Sequence, residues 1–102
     1  MNSSTRKLLT IITESALERI LIEEIEHLGA RGFTITDARG KGHRGPRDAA
    51  WDESSNIRIE ILCDDAIADA IARHLRVRYY DDYGMVLFVS DVEVLRPEKF
   101  QP

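Results

Sequence analysis

Ile57-Arg-Ile-Glu-Ile-Leu-Cys63-Asp-Asp-Ala-Ile67-Ala-Asp-Ala-Ile71-Ala-Arg-His-Leu75 changes hydrophobic period in mid-course. Ile57, Ile59, Ile61 and Cys63 alternate with Arg58, Glu60 and Leu62, the period of two expected of a strand with one face in a core. After Asp64-Asp65, either of which suits a helix N-cap, Ile67, Ala68, Ile71, Ala72 and Leu75 fall on one helical face. A strand running directly into an amphipathic helix is half of a βαβ unit, and the rest of the chain supplies its counterparts.

Towards the N-terminus, Leu8 to Ile12 is a short apolar run rich in β-branching, suited to a buried strand. Ser15-Ala-Leu-Glu18 has capping-box form, and Leu17, Ile20, Leu21, Ile25 and Leu28 repeat at helical spacing up to Gly29, a good helix-ending residue. The acids between Glu14 and Glu26 read as a solvated face. Phe33-Thr-Ile-Thr-Asp37 alternates as a half-buried strand. Towards the C-terminus, Tyr79-Tyr-Asp-Asp-Tyr83 reads as a turn, with Asp81 and Asp82 as turn formers rather than an acid/base pair. Val86–Val89 and Val92–Leu95 read as a last strand, broken or bent at Ser90-Asp91. The order β-α-β-loop-β-α-β predicts an α+β, ferredoxin-like fold with a four-stranded antiparallel sheet and a long loop between strands 2 and 3. Two helices cover one face of such a sheet. The other is expected to expose residues such as Leu9, Ile11 or their neighbours, and so to drive oligomerisation.

That long loop concentrates charge. The chain has 14 Lys+Arg against 18 Asp+Glu, a net charge of −4. Four of the basic residues (Arg39, Lys41, Arg44, Arg47) lie within Arg39-Gly-Lys-Gly-His-Arg-Gly-Pro-Arg47, which holds no acid, so the remaining 93 residues carry 10 basic and 18 acidic, a net of −8. Glycines turn backbone N–H groups towards a ligand, and guanidinium forks match phosphate or carboxylate oxygens. The run therefore reads as an anion site, against the simpler alternative of a solvated connection. An acidic body with one basic loop argues against broad nucleic-acid binding, because neutralising phosphates needs a basic face.

At 102 residues the chain has the size of one domain, 1–102, with ordinary composition at 43% hydrophobic and 31% charged. No apolar run approaches the roughly 20 residues that span a bilayer. Met-Asn-Ser-Ser-Thr-Arg-Lys7 lacks a signal cleavage pattern and reads as a frayed terminus. A lone cysteine, Cys63, excludes an internal disulfide and fits a reducing, cytoplasmic setting, most simply as a small buried hydrophobe. His27, His43 and His74 lack metal-ligand spacing. His27 and His74 are expected near helix C-termini, where the dipole favours a cation. No nucleophile elbow is present, so no catalytic residue and no metal site is expected. Trp51, in the polar stretch after the basic run, suits either a fold-back onto the sheet or a hot spot for a protein partner.

Taken together, Gly29-Ala-Arg-Gly-Phe-Thr-Ile-Thr-Asp37, Gly40-Lys-Gly-His-Arg44 and Asn56-Ile-Arg-Ile-Glu-Ile-Leu62 resemble the PII signalling superfamily. Asp82-Tyr83 and Glu93-Val-Leu95 support the resemblance. The likeness extends to its PII-like branch linked to inorganic carbon, the carboxysome-associated proteins and the partner of the sodium-dependent bicarbonate transporter. The resemblance implies a homotrimer that binds adenine nucleotide in clefts between subunits and contacts its target through a T-loop, here 39–55. It implies Gly32, Thr34 and Leu62 near base and ribose, and Gly40, Lys41, Gly42, Arg44 and Arg47 on the phosphate side. Tyr83 and Gly84 stand at the phosphate turn, and Lys41, Arg44 and Arg47 are candidates for bicarbonate. The implied ligands are ADP and AMP, with ATP or cyclic AMP as further candidates and no prosthetic group. The implied partners are a bicarbonate transporter or a carboxysome component.

The chain also departs from the family. Tyr83-Gly-Met-Val86 replaces the usual Gly-Asp-Gly-Lys turn, which removes donors to the outer phosphates. The uridylylated tyrosine and the C-terminal Cys-Gly-Pro-x-Gly-Cys loop are absent, so neither control is expected. Two other functions fit the element order. One is an RNA-binding sheet, which calls for aromatics on the central strands. The other is a small nucleotide-hydrolysing enzyme.

Overall fold

The computed structural model describes residues 4–40 and 55–95. In chain order these form β1 (Ser4–Glu14), a 3-10 turn (Ser15–Leu17), α1 (Glu18–His27), β2 (Thr34–Ala38), β3 (Asn56–Cys63), α2 (Asp65–Arg78) and β4 (Val86–Val94). The strands make one sheet in the order β2-β3-β1-β4, each neighbouring pair antiparallel. The expected α+β ferredoxin-like fold is what the chain adopts.

The switch of period at Cys63-Asp64 behaves as the sequence foretells. Ile57, Ile59, Ile61 and Cys63 are buried, and so are Ala68, Ile71 and Leu75 one element later. Between them Asp64, in extended conformation, accepts the Ile67 N–H at 2.9 Å, which identifies Asp64 rather than Asp65 as the cap. Leu9, Ile11, Leu21 and Ile25 complete the same core between sheet and helices.

Five expectations need correction. Leu9 and Ile11 are fully buried under the helices, so the open face belongs to the opposite parity of β1, with Leu8 and Ile12 half-buried there. Residues 4–7 are not frayed: they pair with 91–94 and extend β1 to Ser4. β4 runs unbroken through Ser90-Asp91, because Ser90 pairs with Leu8 and Asp91 with Lys7, whose ammonium lies 2.5 Å from the Asp91 carboxylate. Ser15 is not a helix cap: its hydroxyl donates to the Ser55 carbonyl at 2.5 Å, and a 3-10 turn precedes α1. Ile20, one position off the Leu17-Leu21-Ile25 row, is 39% exposed.

The acid-rich stretch is likewise not a uniform solvated face. Glu24 on α1 reaches α2, with Oε1 2.9 Å from His74 Nε2 and Oε2 accepting the Tyr79 hydroxyl at 2.8 Å. His74 is thus a tie between helices, inside α2 rather than in its last turn. Burial first, and then this bond to Glu24, push the Tyr79 hydroxyl pKa up.

Candidate functional site

The candidates among the described residues collect at opposite ends of the sheet. At the first end, α1 stops in a Schellman motif: Gly29 has φ +114°, its N–H donates to Glu26, and the Ala30 N–H donates to Ile25. Ala30 is buried, and the chain emerges at exposed Gly32 to start β2. Gly32, Phe33 and Thr34 then face Leu62, Glu60, Leu8 and Val92–Val94 across a groove of about 580 Å³. Gly32, Thr34 and Leu62, expected together near base and ribose, do line one cavity. A Cβ at Gly32 would meet nothing within 4 Å, so contacts within this one chain do not require a glycine there.

Sequence reading missed Glu60 in this groove. The signal was available, since Glu60 shares the open face with Leu62 by strand parity and pairs with Thr34. Its carboxylate lies 3.3 Å from the Arg58 guanidinium, which in turn stands 5.9 Å from the Phe88 ring centroid. Phe88 is on the outer strand. By strand parity the open face of the central strands carries Leu8, Thr10 and Ile12 on β1, Thr10 itself buried, and Arg58, Glu60 and Leu62 on β3, without an aromatic. The feature that an RNA-reading sheet requires is missing from both strands.

The second end holds the root of the long loop. Ala38 pairs with Asn56, and Asn56 with Glu14, so three strands bring the departing Arg39-Gly40 level with the end of β1. Gly40 is exposed, and space is open where a Cβ would stand. Lys41, Gly42, Arg44 and Arg47, with His43 and Trp51, lie outside the described residues. The turn before β4 is at the same end. The N–H groups of Asp82 and Tyr83 both donate to the Tyr79 carbonyl, and Tyr83 packs edge-on against Tyr79 with ring centroids 5.8 Å apart. Asp81 and Asp82 are exposed turn residues. Gly84 is held on both sides: its N–H donates to Glu14 Oε2 at 3.1 Å, and its carbonyl accepts the Thr13 hydroxyl at 3.2 Å. Glu14, expected among solvated acids, is instead part of this turn.

Leu62 and Asn56 mark the two ends along β3, about 20 Å apart at strand rise. The structure therefore brings Gly32, Thr34 and Leu62 together and sets Gly40 and Gly84 at the same end of the sheet, on its opposite edges, but it does not join the two groups within one chain. Cys63, beside the first end, is 3% exposed, and burial first, with Asp64 and Asp65 adding to it, pushes its thiol up to about 11. A buried, protonated thiol is a packing residue rather than a nucleophile. Among the described residues, no helix is long and apolar enough to cross a membrane.

Comparison with known proteins fits this geometry. A crystal structure of a protein described as a PII-like signalling protein, from Thermus thermophilus, is 43% identical, with 98% of this chain and 99% of that one covered and a TM-score of 0.82. CPII from Thiomonas intermedia, in a structure bound to ADP, AMP and acetate, is 24% identical over the whole of both chains with a TM-score of 0.84, a likeness of fold. The same protein bound to ADP and bicarbonate aligns over 97% of each chain at 25% identity, with a TM-score of 0.81. The family described as nitrogen regulatory protein P-II matches residues 6–99. With nearly the whole chain matched and the sheet order in place, this protein belongs to the P-II family.

Proposed function

We propose that this protein is a non-enzymatic, cytoplasmic sensor of adenine nucleotides. In this reading it acts as a homotrimer of single domains, 1–102, and signals inorganic-carbon status through the loop 39–55. The observation that carries the proposal is the separation of the candidate residues. Gly32, Thr34 and Leu62 share a groove at one end of the sheet, while Gly40 and Gly84 stand at the other. Two ends about 20 Å apart cannot grip one nucleotide, but the first end of one copy against the second end of its neighbour can. The base would enter the groove beside Leu62. Gly40, Lys41, Gly42, Arg44 and Arg47 would meet the phosphates, and Tyr83-Gly84 would close the phosphate side.

The ligands bound by CPII support this choice, since ADP and bicarbonate occupy a protein of the same fold. Bicarbonate would share Lys41, Arg44 and Arg47 with the phosphates, which links the sensor to carbon uptake through a bicarbonate transporter or a carboxysome component. Ligand would order the basic loop by supplying its anionic partner, to the extent that the ordered state binds more tightly. Calorimetry with AMP, ADP, ATP and cyclic AMP, each with and without bicarbonate, tests the reading. AMP or ADP is expected to bind at least as tightly as ATP, since the Gly-Asp-Gly-Lys donors are absent. A preference for ATP of about tenfold or more contradicts it. Release of phosphate from ATP or ADP with Mg²⁺ would instead establish an enzyme.

A further inference from the structure

At the end of β1 the chain holds an anion of its own against a backbone donor. Gly84 N–H donates to Glu14 Oε2 at 3.1 Å, while Thr13, the preceding residue, donates its hydroxyl to the Gly84 carbonyl at 3.2 Å. Two consecutive residues of β1 thus engage both polar backbone atoms of Gly84. Ser15, next along the chain, donates to the Ser55 carbonyl at 2.5 Å, so the same strand end also fastens the exit of the long loop. Glu14 lies across from Asn56, and Asn56 across from Ala38, where the loop departs. The carboxylate therefore stands between the turn before β4 and the Asn56 root of the basic loop, with the Ala38 root one strand further across the sheet.

We propose that Glu14 is a specificity-determining residue which discriminates against the outermost phosphate of a nucleoside triphosphate. This rests on the adenine-nucleotide reading above and adds to it a residue of the chain that opposes binding. Loss of the Gly-Asp-Gly-Lys turn removes attractive donors. Glu14 goes further, because its carboxylate already accepts the Gly84 amide N–H, a backbone donor of the turn before β4. A phosphate reaching Gly84 has to displace that carboxylate and then lie beside it, two anions contending for one donor. A monophosphate, shorter by two phosphoryl groups, leaves the contact in place.

Glu14→Gln removes the charge and keeps both the shape and an acceptor oxygen. Calorimetry on the variant is expected to show ATP binding tightened by about tenfold or more, while AMP moves by less than about threefold. Glu14→Ala, a second variant, is expected to raise the ATP-to-AMP affinity ratio at least as much and to speed hydrogen exchange at the Gly84 amide. An ATP-to-AMP ratio unchanged in both variants, in a wild-type protein that binds AMP, overturns the role of Glu14 and leaves the nucleotide reading standing. No binding of AMP or ATP by wild type or by either variant overturns both. Binding of ATP by the variants alone supports the proposal in its strongest form.

Discussion

Cys63 shows how far a single residue's environment can be read. It closes the alternating run on β3, and that parity alone predicts burial, as found at 3% exposure. Burial raises its thiol from the ordinary 9.0 to about 11. The unfolded chain therefore ionises Cys63 first as pH rises. The contribution of the neutral buried thiol is whole below pH 9.0 and is lost as pH climbs through about 11. Urea unfolding between those limits should show a steeper alkaline loss of stability in wild type than in Cys63→Ala, and parallel curves would contradict the assignment. Glu24 was not legible in the same way. It lies among other acids on α1, and nothing local distinguishes it from Glu23 or Glu26. Only the crossing of α1 and α2 brings it to His74 and Tyr79. Glu14 was hidden for the same reason, since its partner Gly84 is 70 residues away. Local periodicity reports which face a residue is on, but not which distant polar group meets it there.

At the scale of elements, strands and helices were legible wherever one face is buried, because burial imposes a period. Boundaries were less so. β1 begins at Ser4 and β4 passes straight through Ser90-Asp91, since cross-strand pairing continues a strand across polar residues that break its local pattern. The end of α1 was legible because Gly29 has a specific task. At φ +114° it carries the chain out of the helix, and a Cβ there would lie 3.3 Å from Ile67 Cγ1 on α2. Gly29→Ala is therefore expected to destabilise the fold by about 1–2 kcal/mol, measured as a lower urea midpoint at unchanged slope. An unchanged midpoint would mean that the helix end tolerates a side chain. The basic loop makes the opposite forecast. Arg44→Ala or Arg47→Ala should weaken ADP binding by about ten- to a hundredfold, the worth of one charge-assisted contact. The melting temperature without ligand should hardly move. Titrations within about twofold of wild type would reduce the run to a solvated connection.

For the whole molecule, the open face of the sheet is what remains to be covered. Leu8, Ile12 and Leu62 are half-buried there, and Val86 and Phe88 are 53% and 41% exposed. An apolar surface of this kind favours association between copies, which is also the arrangement that would bring the two ends of the candidate site together. The central claim is that one nucleotide is held by the first end of one copy and the second end of another. Thr34→Trp would fill the groove at the first end, and Arg44→Ala would strip a cation from the second. Each variant assembled alone should bind ADP poorly. The two should be coexpressed with different tags, purified through both tags, and titrated with ADP. Every mixed trimer in a cyclic arrangement then contains one cleft with both ends intact, so wild-type affinity should return at one site per trimer. Mixed assemblies that bind no better than either variant alone, or a wild-type monomer that binds ADP at full affinity, would contradict a site shared between copies.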